Sequence, residues 1–93
     1  MPTATWNGAV LAESDATIVV EGNHYFPSDS VDPAYLRNSE RTSRCFWKGM
    51  AHYKDVVDGQ VNAAAAWYYP DPSDAAAEVA GYYAFWHGVA VRE

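Results

Sequence analysis

The segment Arg44-Cys45-Phe46-Trp47-Lys48-Gly49 carries the only cysteine of the sequence between two basic residues. Neighbouring cations stabilise a thiolate, which lowers the pKa of the thiol and makes it a better nucleophile at neutral pH. Cys45 and Lys48 are therefore candidate catalytic residues, with the thiol acting as a nucleophile or as a redox-sensitive group. The alternative is that Cys45 is a small buried residue, as most free cysteines are.

Five of the six basic residues fall within residues 37–54, where Glu40 is the one acidic residue. This window has a net charge of +4, whereas the remaining residues, with one basic and eleven acidic side chains, carry −10. Arginine forks and lysine point charges bind phosphate and carboxylate groups, so the window is a candidate anion site. The alternative is a solvated basic loop that balances an acidic remainder. The five residues are Arg37, Arg41, Arg44, Lys48 and Lys54.

Two aromatic residues, Trp67 and Tyr69, are spaced to share one face of a strand, since side chains alternate with a period of two. Such a pair usually packs in a core, but it can also form the floor of a ligand groove. Glu21 and His24 flank a predicted turn, where they could transfer protons or simply stabilise the turn by a hydrogen bond. The histidines and Cys45 show none of the paired spacings of a metal site, so we predict no metal and no cofactor.

Short strands and turns must position these candidates. Asn7-Gly8 is typical of a type I′ turn and predicts a hairpin of Thr3–Trp6 with Ala9–Glu13. Asp58-Gly59 predicts a second hairpin turn. β-Branched and aromatic residues between turn signals predict further strands at residues 17–21, 24–26, 51–57, from 60 onward, 82–86 and 89–92.

The polar stretch Ser28–Arg44 is predicted to be a loop, apart from one helical turn that begins at Asp32-Pro33. A loop of this length in so small a chain is more often functional than idle. One short helix is predicted near residues 72–80, with Asp71 as its cap and Gly81 at its end.

The length of 93 residues predicts a single domain over residues 1–93. The net charge of −6 argues against binding to duplex nucleic acid. No apolar run reaches the roughly 20 residues that span a bilayer, and the first residues lack the features of a signal peptide. A single thiol cannot form an internal disulfide. We therefore expect a soluble cytoplasmic protein that does not bind membranes.

Several segments form a combined pattern: residues 20–27, 42–45, 66–72 and 81–85, together with Leu36, Ser39, Lys48, Gly49, Ala51 and Tyr53. The pattern joins Cys-x-x-Lys-Gly, Trp-x-Tyr-Pro and an aromatic C-terminal strand, and it resembles the domain-of-unknown-function 427 family over essentially the whole chain. One departure is Phe46, since the family usually has proline directly after the cysteine. Proline would stiffen that loop.

The resemblance implies a mainly β fold of the Mss4-like or β-tent kind, with small antiparallel sheets around a groove. It also implies a pocket at the matching positions, which are Tyr25, Cys45, Lys48, Tyr53, Trp67 and Tyr69. The family carries a nucleotidyltransferase-type label, a chemistry that needs paired acidic residues to hold Mg²⁺, but the sequence has no Asp-x-Asp pair after a Gly-Ser turn. Relatives of this fold often hold zinc between two Cys-x-x-Cys pairs, which a chain with one cysteine cannot provide.

Three hypotheses explain these features. In the first, the domain binds a small anionic ligand in an aromatic groove, with Arg37 and Arg41 as further cations. In the second, it is an interaction or self-association module, such as a homodimer, without chemistry. In the third, it is an enzyme with Cys45 as nucleophile and Lys48 or His24 assisting. The ligand-binding residues of the first hypothesis are Tyr25, Arg44, Lys48, Tyr53, Trp67 and Tyr69.

Overall fold

The computed structural model describes all 93 residues, and it contains three antiparallel sheets. The first sheet has the order β2-β1-β9, the second pairs β3 with β4, and the third has the order β5-β6-β7-β8. The strands are β1 (Thr3–Trp6), β2 (Ala9–Glu13), β3 (Ile18–Val20), β4 (Asn23–Tyr25), β5 (Leu36–Cys45), β6 (Gly49–Val57), β7 (Val61–Tyr68), β8 (Tyr83–Phe85) and β9 (Ala90–Arg92). The mainly β fold class predicted from the sequence is confirmed, while the finer β-tent assignment stays a prediction.

The first hairpin is confirmed, because β1 pairs with β2 on either side of Asn7 and Gly8. These two residues have φ values of 51° and 78°, the left-handed conformations that a type I′ turn requires. The same combination of a left-handed residue followed by glycine recurs at Glu21-Gly22, with φ values of 54° and 80°. This second turn joins β3 to β4 and places Glu21 at the tip of that hairpin.

The predicted loop over Ser28–Arg44 is wrong for its second half, where β5 runs from Leu36 to Cys45 along β6. Its outer edge has no partner strand, so most of its side chains are exposed and polar, and the sequence shows no apolar alternation. A bulge between Asn38 and Thr42 interrupts the pairing. Both polar exposed side chains and bulges are typical of edge strands.

Three short 3₁₀ helices complete the chain, at Ser28–Ser30, Pro33–Tyr35 and Asp74–Val79. The Asp32 carboxylate accepts a hydrogen bond from the backbone N–H of Ala34 at 3.0 Å, which confirms the predicted cap. The helix predicted near residues 72–80 is present as Asp74–Val79, but Asp71 is not its cap. Ser73 takes that position without a capping side-chain bond, because its hydroxyl instead donates to the carbonyl of Trp47.

Apolar side chains bury both faces of the four-stranded sheet. One cluster joins it to the sheet that contains β1, and consists of Ala4, Leu11, Ala12, Phe26, Val31, Val56, Ala65, Ala66 and Phe85. The other lies toward the β3–β4 hairpin, and consists of Tyr25, Ala51, Tyr53, Ala64, Tyr69, Ala76, Val79 and Ala84. Neighbouring residues Ala84 and Phe85 fall into different clusters, as the alternation of side chains along β8 requires. No helix in the structure has the length and apolar character needed to cross a membrane.

Candidate functional site

A pocket of about 170 Å³ opens on the face of the four-stranded sheet that carries the second cluster. The β3–β4 hairpin, the β5–β6 turn, both long central strands and the end of β8 all contribute side chains to it. Its walls are mostly aromatic, with one amide and one amine. The lining residues are Asn23, Tyr25, Lys48, Tyr53, Trp67, Tyr69 and Trp86.

The aromatic walls are held by contacts among the rings themselves. The rings of Tyr25 and Trp67 meet edge to face with centroids 6.2 Å apart, and the indole N–H of Trp67 donates to the Tyr25 hydroxyl at 3.1 Å. Trp67 also meets Trp86 edge to face at 5.6 Å, and Tyr69 lies 6.5 Å from Tyr25. Such arrangements suit the ring quadrupoles and restrict the rotamers, so the pocket is shaped before any guest enters.

Lys48 reaches the pocket from the turn between β5 and β6, which Gly49 completes with a φ of 112°. The turn is held against the following segment, because the carbonyl of Lys48 accepts a hydrogen bond from the backbone N–H of Ser73 at 2.9 Å. A Cβ at position 49 would lie in contact with the backbone of Asp71 and Pro72. The close packing around this turn keeps the Lys48 side chain inside the protein rather than in solvent.

The Lys48 side chain is buried, with 5% of the residue exposed, and its ammonium donates a hydrogen bond to the carboxylate of Glu21. Burial, the largest single effect, acts to lower the pKa of Lys48, but the hydrogen bond to Glu21 and the charges of nearby acidic groups together outweigh it, so the pKa is raised. The same contact lowers the pKa of Glu21, whose side chain is 55% exposed at the hairpin tip. The buried amine is therefore charged, and its partner sits at the surface.

Tyr69 closes the floor of the pocket and is 5% exposed. Burial, followed by the neighbouring hydroxyl of Tyr25, raises the pKa of Tyr69 to about 12. Its ring centre lies 5.7 Å from the Lys48 ammonium, within the range of a cation–π contact. Tyr69 therefore remains a neutral phenol at physiological pH and supplies a ring and a hydroxyl, not a charge.

Cys45 lies at the end of β5, half-buried beside the aromatic cluster, but it does not line the pocket. Burial acts to raise the pKa of its thiol, whereas hydrogen bonds from the backbone N–H groups of Trp47 and Lys48 and the positive charge of Lys48 act to lower it. The lowering effects prevail, so the pKa of Cys45 falls below its ordinary value of 9.0. The turn that positions Lys48 thus also stabilises a thiolate.

Trp86 and Asn23 are pocket residues that the sequence interpretation missed. Trp86 lies just beyond β8, and its indole N–H donates to the carbonyl of Ala64 at 2.6 Å. Ala64 sits at a bulge of β7 with a φ of 54°, and its own N–H donates to the buried carboxylate of Asp55 at 2.8 Å. Asp55 therefore fixes the bulge that orients Trp86, a relation that no local sequence pattern contains.

Arg41 lies at the rim of the pocket. Its guanidinium is 4.7 Å from the ring centre of Tyr53 and 5.3 Å from that of Trp86. On the same side of β5, Ser43 shares a 2.9 Å hydrogen bond with the Tyr53 hydroxyl. Arg41, Ser43 and Cys45 are two residues apart along the strand, so they face the pocket side together.

Five of the predicted site residues line this one pocket: Tyr25, Lys48, Tyr53, Trp67 and Tyr69. Arg44 does not, because it lies between Ser43 and Cys45 on β5 and is exposed on the opposite side. Cys45 packs against the second cluster next to the pocket but does not line the pocket. The structure thus gathers most of the predicted residues, while their roles stay predictions.

The five basic residues of the 37–54 window do not all lie at the pocket. Arg37 forms an ion pair with Asp55 at 3.0 Å, and the Lys54 ammonium donates to the side-chain oxygen of Asn38 at 2.7 Å. Together with the exposed Arg44, these residues lie outside the pocket. Two cations of the five, Arg41 and Lys48, are left beside its rings.

The proposed pairing of Glu21 with His24 is not found. Glu21 binds Lys48 instead, and His24 shares a 2.9 Å hydrogen bond with Thr17 and lies 4.0 Å from the carboxylate of Glu93. The two do not share a strand face, because Glu21 lies in the turn itself with a left-handed φ, whereas His24 lies on β4 opposite Val19. Among the His, Cys, Asp and Glu side chains, no three come close enough together to hold a metal ion.

No curated protein matches the chain. The model of a domain of unknown function, DUF427, matches residues 3–93. This match covers every residue of the strands and all seven residues of the pocket. The chain therefore belongs to the family of domain of unknown function 427.

Proposed function

We propose that this domain binds a small anionic molecule in the aromatic pocket. The observation that carries the proposal is that the Lys48 ammonium and the Trp67 indole line the same cavity. Had the two groups lain on opposite sides of the molecule, a cation and a ring could not act on one guest. In this structure both groups line one cavity, and the rings of Tyr25, Tyr53 and Tyr69 form further parts of its wall.

The aromatic and the polar side chains of the pocket have different roles in binding. The rings remove apolar surface of the guest from water, while a few polar groups fix its orientation, which is the usual division in small-molecule sites. An ammonium has three N–H donors, and Glu21 accepts from one of them. Because Lys48 is shielded from solvent, a hydrogen bond from it to an anion is stronger than the same contact at the surface.

A panel of anions tests the proposal by thermal unfolding and by shifts of the indole N–H signals in NMR spectra. The panel contains acetate, benzoate, citrate, inorganic phosphate and a nucleoside monophosphate, each at millimolar concentration. The test variant is Lys48→Met, which keeps most of the side-chain volume. Its matched control is Lys54→Met, since that amine lies on β6 outside the pocket.

At least one anion is expected to raise the melting temperature of the wild type, since binding at 100 times Kd adds about 2.7 kcal/mol to the free energy of unfolding. The increase should shrink in Lys48→Met and persist in Lys54→Met. If no anion stabilises the wild type or shifts the indole signals, the proposal is wrong. If both lysine variants lose the effect equally, Lys48 is not the binding cation.

A second candidate function is thiol chemistry at Cys45, and the lowered pKa of that thiol favours it. In this hypothesis the thiolate attacks an electrophile or is oxidised, with the Lys48 ammonium stabilising its charge. The position of Cys45 outside the pocket lining ranks this candidate below anion binding, because a guest in the pocket would not contact the sulfur directly.

A further inference from the structure

The volume of the pocket restricts the size of its guest. At about 170 Å³ it is close to a cavity of about 150 Å³ that takes up one benzene ring. Pockets for drug-sized ligands range upward from about 300 Å³. The enclosed part of a guest is therefore one six-membered ring, and a nucleoside does not fit inside.

The charged groups at the pocket restrict the charge of the guest. Lys48 is already paired with Glu21, and no acidic side chain forms an ion pair with Arg41. Two cations and one anion leave a single positive charge at the site. Since Arg41 is also exposed to solvent, it can bind an anionic group without the loss of an existing acidic partner.

The position of Arg41 suits it to this task. Its guanidinium lies over the rings of Tyr53 and Trp86, both of which line the pocket. Cation–π contacts of this kind hold the guanidinium beside the pocket, and a guanidinium can present two N–H groups to a carboxylate. The rings of the pocket would therefore hold the body of the guest while Arg41 holds its charge at the rim.

We propose that the pocket selects a single planar ring that carries one negative charge, and that Arg41 is the residue that recognises this charge. This inference rests on the proposed function and makes it specific, because it names both the ligand class and the specificity-determining residue. It differs from anion binding by Lys48 alone, which would accept anions of any shape that fit.

Benzoate, benzamide and acetate separate the contributions of ring and charge. Their dissociation constants are measured at pH 7 by NMR titration of the indole N–H signals in the wild type, in Arg41→Gln and in Arg44→Gln. Arg44 is the matched control, because it is an exposed arginine on the same strand that faces away from the pocket. The backbone spectrum of each variant verifies that it is folded.

Benzoate is expected to bind the wild type at least about tenfold more tightly than either benzamide or acetate, a factor that corresponds to about 1.4 kcal/mol. Arg41→Gln should reduce the preference for benzoate over benzamide, with Lys48 as the remaining cation, and Arg44→Gln should retain it. These results together would support the inference.

Three other results would overturn it. If acetate or phosphate binds as tightly as benzoate, anion binding stands but selection of a ring is wrong. If the two arginine variants weaken benzoate binding equally, Arg41 is not the recognition residue. If benzamide binds the wild type as tightly as benzoate, the charge is not recognised and the inference is wrong; if, in addition, no other anion of the wider panel binds, the proposed function fails with it.

Discussion

The ammonium of Lys48, buried in the wall of the pocket, is hydrogen-bonded to the carboxylate of Glu21 at the tip of the β3–β4 hairpin. The two residues are 27 positions apart in sequence, and they join separate sheets. The pair therefore links the shape of the pocket to the charge state of its one buried amine.

Replacing either member of this pair should have unequal effects on stability. Glu21→Gln leaves a buried ammonium without its anion, whereas Lys48→Met leaves a carboxylate that water can solvate at the surface. Glu21→Gln is therefore expected to lower the free energy of unfolding more than Lys48→Met does, as measured by urea denaturation at pH 7. Equal losses in the two variants would contradict this account.

The stabilisation from Glu21 should also depend on pH. The hydrogen bond to Lys48 lowers the pKa of Glu21 in the folded state below its ordinary value of 4.5. A lowered pKa means that the contribution is fully present above pH 4.5 and is lost as the pH falls through the folded-state value. The difference in free energy of unfolding between wild type and Glu21→Gln should therefore be constant near neutral pH and shrink in acid. If the difference in free energy of unfolding between the two proteins stays the same down to pH 3, the predicted contribution of the Glu21 carboxylate is wrong.

The thiol of Cys45 should titrate below 9.0 in the folded protein, because backbone N–H groups and the charge of Lys48 outweigh its burial. Alkylation by iodoacetamide as a function of pH measures this value. Lys48→Met should raise the apparent pKa of the thiol, and Glu21→Gln should lower it further, since the Glu21 charge acts in the opposite direction. The urea-unfolded protein is the control, and identical pH profiles for all four samples would exclude the thiol as a candidate.

Removing the Asp55 carboxylate should disturb the pocket at a distance. Asp55→Ala leaves the buried N–H of Ala64 without a partner and is expected to cost about 2–3 kcal/mol in free energy of unfolding. Asp55→Asn keeps an acceptor for that N–H and should cost less. Because the Ala64 carbonyl accepts from Trp86, the indole signal of Trp86 should move in the alanine variant. An unchanged indole signal of Trp86 would show that Asp55 does not influence the position of this pocket residue.

Glycine should be tolerated at position 64 and not at position 65. Ala64 has a φ of 54°, a conformation that costs an L-residue about 1–2 kcal/mol. Glycine relieves this strain, but it loses a buried methyl group and its unfolded chain has more conformational entropy. The two effects on the free energy of unfolding should roughly cancel. Ala64→Gly is expected to stay within about 1 kcal/mol of wild type. Ala65 is fully buried with no such strain, so Ala65→Gly should cost about 1–2 kcal/mol. Denaturation of both variants gives the comparison.

Phe46, at the tip of the β5–β6 hairpin, is 96% exposed and provides the test of the self-association hypothesis. Phe46→Ser should leave the free energy of unfolding within about 0.5 kcal/mol of wild type, because no packing is lost. If this residue mediates a homodimer, the wild type should show a concentration-dependent mass by light scattering that the variant lacks. Equal monomeric masses for both proteins would exclude Phe46 as a contact.

Local sequence signals predicted those parts of the fold that depend on local geometry. Asn7-Gly8 indicated its hairpin because few residues accept a left-handed φ, and the spacing of Trp67 and Tyr69 placed both on one face. β5 was missed because an exposed edge strand needs no apolar alternation. The position of Arg44 outside the pocket lining was not foreseen for the same reason, since the direction of a side chain cannot be predicted for a residue assigned to a loop.

The contacts that complete the site depend on tertiary structure. Trp86 enters the pocket through a bulge at Ala64, and Glu21 finds Lys48 across the gap between two sheets. Neither contact has a fixed spacing in sequence, so no periodicity indicates it. The sequence therefore predicted the types of residue at the site more completely than it predicted which of them pair.

The β3–β4 hairpin forms one wall of the pocket with only two short strands. A two-stranded hairpin is marginally stable by itself. This one is attached to the larger sheet by the bridge between Phe26 and Tyr83, by the hydrogen bond from Trp67 to Tyr25 and by the contact of Glu21 with Lys48. Tyr25 on this hairpin is also a buried member of the second cluster, so the wall and the core share a side chain. Because the Glu21 end of the contact with Lys48 is exposed to solvent, the electrostatic part of this attachment should weaken as the salt concentration rises.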